Sequence, residues 1–179
     1  MRCLAGLLMI LSTPVLSAES DDPLPPGLQR ALGRPPEVTL APARPAAAAP
    51  EKEGPRPTKI GEHRLLDAAQ LAKGKWVKKS KDAPAVWHLA IKSNGAAAMR
   101  VHFREFRAGA GGKAWVHNGK EWHGPYTGGG LYGDGDFWSH VVPGDRLIIE
   151  FAGPPGSKQP GIPPFSVREI SHLTTNPLE

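Results

Sequence analysis

Between Val86 and Phe106 the chain reads VWHLAIKSNGAAAMRVHFREF, two apolar-alternating runs that meet at Asn94-Gly95, and no other stretch limits the fold so strongly. Alternation with period 2 sends successive side chains to opposite faces of a strand. Trp87, Leu89 and Ile91 then share one face, as do Met99, Val101 and Phe103; His88, Ala90 and Lys92, and Arg100, His102 and Arg104, take the other. The expected product is a half-buried antiparallel sheet with an aromatic and aliphatic inner face and a basic, imidazole-bearing outer face. Asn-Gly marks a chain reversal. A three-residue loop that pairs Ser93 with Ala97 would set Trp87 opposite Phe103, Leu89 opposite Val101 and His88 opposite His102. The alternative is that the two runs are not ladder partners and cross between sheets.

The same pattern of short runs bounded by Gly, Pro, Asn or Asp continues on both sides. Ile60 to Leu66, Lys75 to Lys79, Ala114 to Asn118, Trp122 to Thr127, Phe137 to Val142, Arg146 to Glu150 and Phe165 to His172 are candidate strands, and Asp67 to Ala72 suits one helical turn. Eight or nine short strands predict an all-β fold, an antiparallel β-sandwich or jelly roll, spanning residues 59–173 with a short tail at 174–179. Gly128 to Gly135, GGGLYGDG, is expected to be a mobile loop, and Gly153 to Pro164 another.

Residues 1–18 have the layout of an export signal: Arg2, an apolar core from Leu4 to Leu11, and Val15-Leu16-Ser17-Ala18 as the small-residue cleavage site. The apolar run is too short to span a bilayer. A secreted or periplasmic chain is therefore expected. Cys3, the only cysteine, lies inside that signal, so the processed chain would carry no thiol, no disulfide and no Cys-based metal site. Residues 19–58 hold ten prolines and the run APARPAAAAP, the composition of a disordered Pro/Ala-rich linker. The net charge of +5 is concentrated beyond it, with sixteen basic and eleven acidic residues from 59 to 179. Five lysines between Lys73 and Lys81 fit a solvated edge strand that resists edge-to-edge pairing. Export argues against a nucleic-acid partner.

Three phrases, WHLAIKSNGAAAMRVHF, FWSHVVPGDRLIIEF and PPFSVREISH, carry a resemblance. Together they resemble the β-sandwich domain that precedes the catalytic domain in secreted bacterial trypsin-like serine proteases of the lysyl-endopeptidase-like group, over roughly Trp76 to His172. The resemblance implies a sandwich accessory to an enzyme. The catalytic motifs Gly-Asp-Ser-Gly-Gly and Ala-Ala-His-Cys do not occur, and Gly144-Asp145 is followed by Arg146. The expectation is an accessory module without its protease, with no catalytic residue to carry over; a remnant of a longer protease is the variant of that expectation.

Seven histidines invite metal or acid–base chemistry. The register above brings together only His88 and His102, and two imidazoles flanked by Arg100 and Arg104 are too few for a dependable zinc or copper site. A small metal-dependent enzyme built on that pair is the third-ranked reading, and no metal or other cofactor is expected. Ser139-His140 and Ser171-His172 are strand neighbours whose side chains point to opposite faces, which excludes a direct nucleophile–base pair. Asp134 and Asp136 could offer oxygens to calcium, but neither flank supplies a further carboxylate. Glu150 and Glu169 read as outward partners of Arg146 and Arg168. Trp76, Trp87 and Trp138 read as core. Trp122, His123, Tyr126 and Tyr132 lie in or beside loops, and these aromatics are the candidate binding residues. They suit a protein or cell-surface partner, or a sugar ring stacked on an aromatic face. The leading expectation is a non-catalytic binding module, with a carbohydrate-binding module as the alternative.

Overall fold

A computed structural model describes residues 23–30, 32–42, 59–78, 80, 83–154 and 162–178. The expected export signal and much of the expected linker lie outside the described residues. The described chain is a sandwich of two sheets with two short helices. Its elements, in order, are α1 (Pro26–Arg30), β1 (Glu37–Thr39), β2 (Gly61–Leu65), α2 (Ala68–Leu71), β3 (Lys75–Val77), β4 (Val86–Lys92), β5 (Ala98–Arg104), β6 (Lys113–His117), β7 (Trp122–Tyr126), β8 (Phe137–Trp138), β9 (Val142–Pro143), β10 (Arg146–Ala152) and β11 (Ser166–Leu173). One sheet runs β1-β4-β10-β6-β7, with β3 also on β4; the other runs β2-β11-β5-β8, with β9 also on β5. We call them sheet A and sheet B. Among the described residues no helix is long and apolar enough to cross a membrane.

The two central runs belong to different sheets, so the expected hairpin does not form. At Asn94-Gly95 the chain arches from sheet A to sheet B: the Ser93 N–H donates to the Asp145 carbonyl, and the Ala97 N–H donates to the Leu173 carbonyl. The β4 strand instead pairs with β10, with Leu89 opposite Ile149 and Trp87 opposite Phe151, and β5 pairs with β11. Periodicity assigns faces but not partners. Trp87, Leu89, Ile91, Met99, Val101 and Phe103 do meet in one core, from opposite sheets. Each such side chain contributes about 1.5–3 kcal/mol of burial. Phe103, Phe106, Phe137 and Phe165 close one end of the core with ring centroids 5.2–5.8 Å from their neighbours. At the arch, the Ser93 hydroxyl lies 2.9 Å from His172 Nδ1. Both residues are buried, so this Ser–His contact pins one sheet to the other out of reach of any substrate.

Residues 23–42 correct the expected domain boundary at Lys59. The β1 strand pairs in parallel with β4, Glu37 opposite Ala90, and Val38 and Leu40 enter the core. Pro26 opens α1, where a missing N–H costs no helical bond. That turn lies across the outer face of sheet A. The Gly27 N–H donates to Glu150 Oε2 at 2.8 Å, and Trp115 Nε1–H donates to the Pro23 carbonyl at 2.9 Å. A Cβ on Gly27 would fall 1.9 Å from Glu150 Oε1, so a side chain there would push the turn off the sheet. The average composition of 19–58 conceals the local pattern Glu37-Val38-Thr39-Leu40, a short strand by its alternation.

This roof also corrects the reading of the β4 outer face and of Glu150. His88, His117 and Glu150 are 3%, 2% and 2% exposed rather than solvated. His117 Nδ1 accepts the Gly119 N–H, which leaves Nε2 as the protonated nitrogen, 3.1 Å from Glu150 Oε1. Arg146 pairs with Glu37 instead, Nε to Oε2 at 2.7 Å. Two local expectations, the α2 turn and the lysine-rich edge, are met. The α2 turn has a capping box between Asp67 and Gln70, and Lys73, Lys75 and Lys78 are exposed along the β3 edge.

Candidate functional site

The outer face of sheet B has no such roof. Alternation along β5 turns Arg100, His102 and Arg104 outward while Met99, Val101 and Phe103 go in, and in β8 Phe137 turns in and Trp138 out. Trp138, expected in the core, is therefore half-exposed. It stands directly across the ladder from His102, and the two rings stack at 4.6 Å with 11° between their planes. The Arg100 guanidinium lies 4.8 Å from the Trp138 ring centroid, a cation–π contact. His102 and His88, expected to be neighbours, are on opposite outer faces of the sandwich. The two-histidine metal reading falls with that register.

Beside Trp138 opens a cleft of about 610 Å³, lined from β5, β7, the glycine loop, β8 with the segment following it, and Leu178. That volume is within the ordinary range for a small-ligand site. Asp136 holds one wall. Its Oδ1 is 2.6 Å from His102 Nε2 and its Oδ2 accepts from Arg104 Nε at 3.1 Å. The His102 hydrogen bond holds the Asp136 carboxyl below its ordinary value. His102 Nδ1 faces Glu169 at 3.9 Å, and Glu169 also meets His63 at 3.2 Å.

The opposite wall is a histidine pair. His123 and His140 stack with centroids 5.0 Å apart. Burial and the neighbouring His140 push the His123 imidazole down, against a hydrogen bond with the Val141 backbone. His123 is thus neutral at pH 7, and its Nε2 is buried without a hydrogen-bond partner. Tyr126 sits behind the pair. Its hydroxyl accepts the His140 N–H at 3.0 Å and lies 3.1 Å from His140 Nδ1. Burial pushes that hydroxyl up to about 12, so it stays protonated.

Tyr132 forms the rim and is 78% exposed. The glycine loop that carries it was expected to be mobile, yet Gly130 N–H donates to the Thr127 carbonyl, Gly135 N–H to Gly129, Phe106 N–H to Gly135 and Ala108 N–H to Gly128. Gly130, at φ +83°, approaches the Phe137 ring so closely that a Cβ would fall 1.9 Å from it. The loop is a packed structure and not a slack connection. Of the four residues singled out in the sequence, His123 and Tyr132 line the cleft, Tyr126 supports it from the core, and Trp122 lies outside it, opposite His117 on β6.

No family model matches the chain, and no curated protein or solved structure is significantly similar to it. The site is therefore read from its own chemistry. Ser139, the serine in the lining, accepts from the Val101 N–H and donates to the His140 carbonyl, so its hydroxyl is committed. Both Asp134 and Asp136 are engaged within the loop or by His102 and Arg104, and among the described residues no group of three or more His, Cys, Asp or Glu is placed to hold a metal ion. What the cleft offers a ligand is an exposed aromatic rim over a polar floor of pre-oriented side chains. Arg100, Trp138, Asp136 and His140 were not marked as binding residues in the sequence. The outward alternation of Arg100, His102 and Arg104 was the available signal for that face.

Proposed function

We propose that the chain is a non-catalytic β-sandwich module, secreted or periplasmic, that holds a protein or cell-surface partner in the cleft beside β8. The observation that carries the reading is Tyr132, a large aromatic held 78% exposed on a packed loop at the mouth of the cleft. An exposed tyrosine at the mouth of a cleft offers apolar area to bury against a partner, and tyrosine is among the residues that carry most binding energy at interfaces. The engaged hydroxyl of Ser139 and the imidazole–carboxylate contacts of His102 and His63 support positioning over bond-breaking. The N-terminal signal pattern supports export.

The test is a pull-down with the full processed chain from envelope and secreted fractions of its own cell, run beside Tyr132→Ala and Trp122→Ala. A component retained by the parent and by Trp122→Ala but lost by Tyr132→Ala is the expected result. Equal retention by all three would remove the cleft as the site. Hydrolytic activity that survived stringent repurification would remove the non-catalytic reading.

A further inference from the structure

We infer that the group held in this cleft is a neutral saccharide ring, an inference that rests on the binding reading above and gives its ligand a chemical class. The charge of the lining comes first. It contains one cation, Arg100, and one carboxylate, Asp136; just behind them stand one more of each sign, Arg104, bonded to Asp136, and Glu169, which faces His102 and His63. An anionic ligand would find its attraction to the arginines opposed by carboxylates at similar range, and a cationic ligand the converse. The balance favours a ligand without net charge.

The hydrogen-bonding capacity comes second. Arg100 can only donate, whereas Asp136 can only accept. His123, its ring held neutral by burial, has one donor and one acceptor nitrogen, and its Nε2 has no partner. His140, whose Nδ1 is taken by the Tyr126 hydroxyl, keeps Nε2 for a ligand. Donors and acceptors thus alternate around a single cleft. Sugar hydroxyls, each both donor and acceptor, satisfy such a mixture; a plain phosphate or carboxylate would leave the acceptors unsatisfied. Among the described residues five buried side-chain polar atoms lack a hydrogen-bond partner, and three of them, Arg100 Nε, His102 Nδ1 and His123 Nε2, belong to residues that line this cleft, the others being Trp76 Nε1 and His117 Nε2. Buried polar atoms are ordinarily paired, and a cluster of exceptions points to a site.

The aromatic geometry comes third. One flat side of a pyranose carries C–H groups, and it packs on an aromatic face, which bears the negative side of the ring quadrupole. The Trp138 ring is already engaged by His102 and Arg100. Tyr132 makes no ring contact among the described residues and is the platform available. Tyr132 would stack the ring, Arg100, Asp136 and the histidines would read its hydroxyls, and exposed Leu131 beside it would extend the apolar rim.

Calorimetric titration of the full processed chain with cellohexaose, chitohexaose, mannohexaose and, as the acidic arm, hexagalacturonate tests this directly. Saturable binding of a neutral hexasaccharide is expected, weakened about tenfold or more by Tyr132→Ala. Tyr132→Phe, which keeps the ring, should stay within about threefold of the parent, and Trp122→Ala should match it. The affinity should change by less than about twofold between 50 and 500 mM salt, since no net charge is neutralised. Thermal melts of each variant report folding independently. Preference for hexagalacturonate with steep salt dependence, no binding by any neutral sugar, or binding undiminished in a folded Tyr132→Ala would each overturn the inference. Tyr132-dependent capture of a protein with none of the sugars bound would overturn the saccharide and leave the binding module standing; Tyr132-independent capture would overturn the site as well.

Discussion

The two outer faces of the sandwich carry similar side chains and have opposite fates. On sheet A, His88, His117 and Glu150 are almost fully buried, and the α1 turn is bonded to Glu150. On sheet B, His63, His102, Asp136 and Glu169 remain partly exposed around Trp138. Each face pairs imidazoles with carboxylates at about 3 Å. Whether such a pair belongs to the framework or to a recognition surface depends on what covers it, not on the pair itself. Breaking a buried pair leaves an uncompensated group in a dry site, whereas an exposed pair contributes little to stability and is accessible to solvent.

Removing one carboxylate from each face should separate the two roles. Glu150→Ala strips the acceptor from the Gly27 N–H and the carboxylate that lies 3.1 Å from His117 Nε2 in a dry site, and about 2–4 kcal/mol of stability should be lost in denaturant titration. A loss below about 0.5 kcal/mol would mean that the roof is not a fixed part of the fold.

Acidification supplies the next contrast. Burial holds the His88, His123 and His172 imidazoles below their ordinary value of 6.5. For a depressed imidazole the unfolded chain takes up the proton first, so this stability is complete above about pH 6.5 and is lost as pH falls from there toward the folded values. The urea midpoint should therefore be lower at pH 5.0 than at pH 7.5, and the gap should narrow in His88→Gln. A midpoint that rose on acidification would contradict the burial of these rings.

Asp136→Ala should have the smallest effect on stability, about 1 kcal/mol or less, because its partners on sheet B are solvated. The effect should appear instead in partner retention. A stability loss as large as that of Glu150→Ala would erase the distinction between the faces.

Much of this was legible in the chain. The strands, the α2 turn and the core of Trp87, Leu89, Ile91, Met99, Val101 and Phe103 follow from alternation and turn residues, which act locally. Strand partnership did not follow, because β4 and β5 present the same period whether they pair with each other or with β10 and β11. Prolines masked the strand at Val38 and Leu40, since composition averages over forty residues and pairing needs only three. For the site, Tyr132 and His123 were visible as loop and edge aromatics. Trp138 was not, because Phe137 and Trp138 are adjacent and only the packing against Phe103 decides which of them turns inward. Arg100 and His102 stood on the correct face, but no local pattern distinguishes a bare face from one that a distant segment covers.

Histidine footprinting with diethylpyrocarbonate, read by mass spectrometry on the full processed chain, tests the asymmetry most directly. His63 and His140 should be modified readily, whereas His88 and His117 should stay protected until residues 19–42 are deleted. Modification of His88 and His117 in the intact chain at the rate of His63 would show that sheet A is not roofed, and the division between a closed face and an open face would fail.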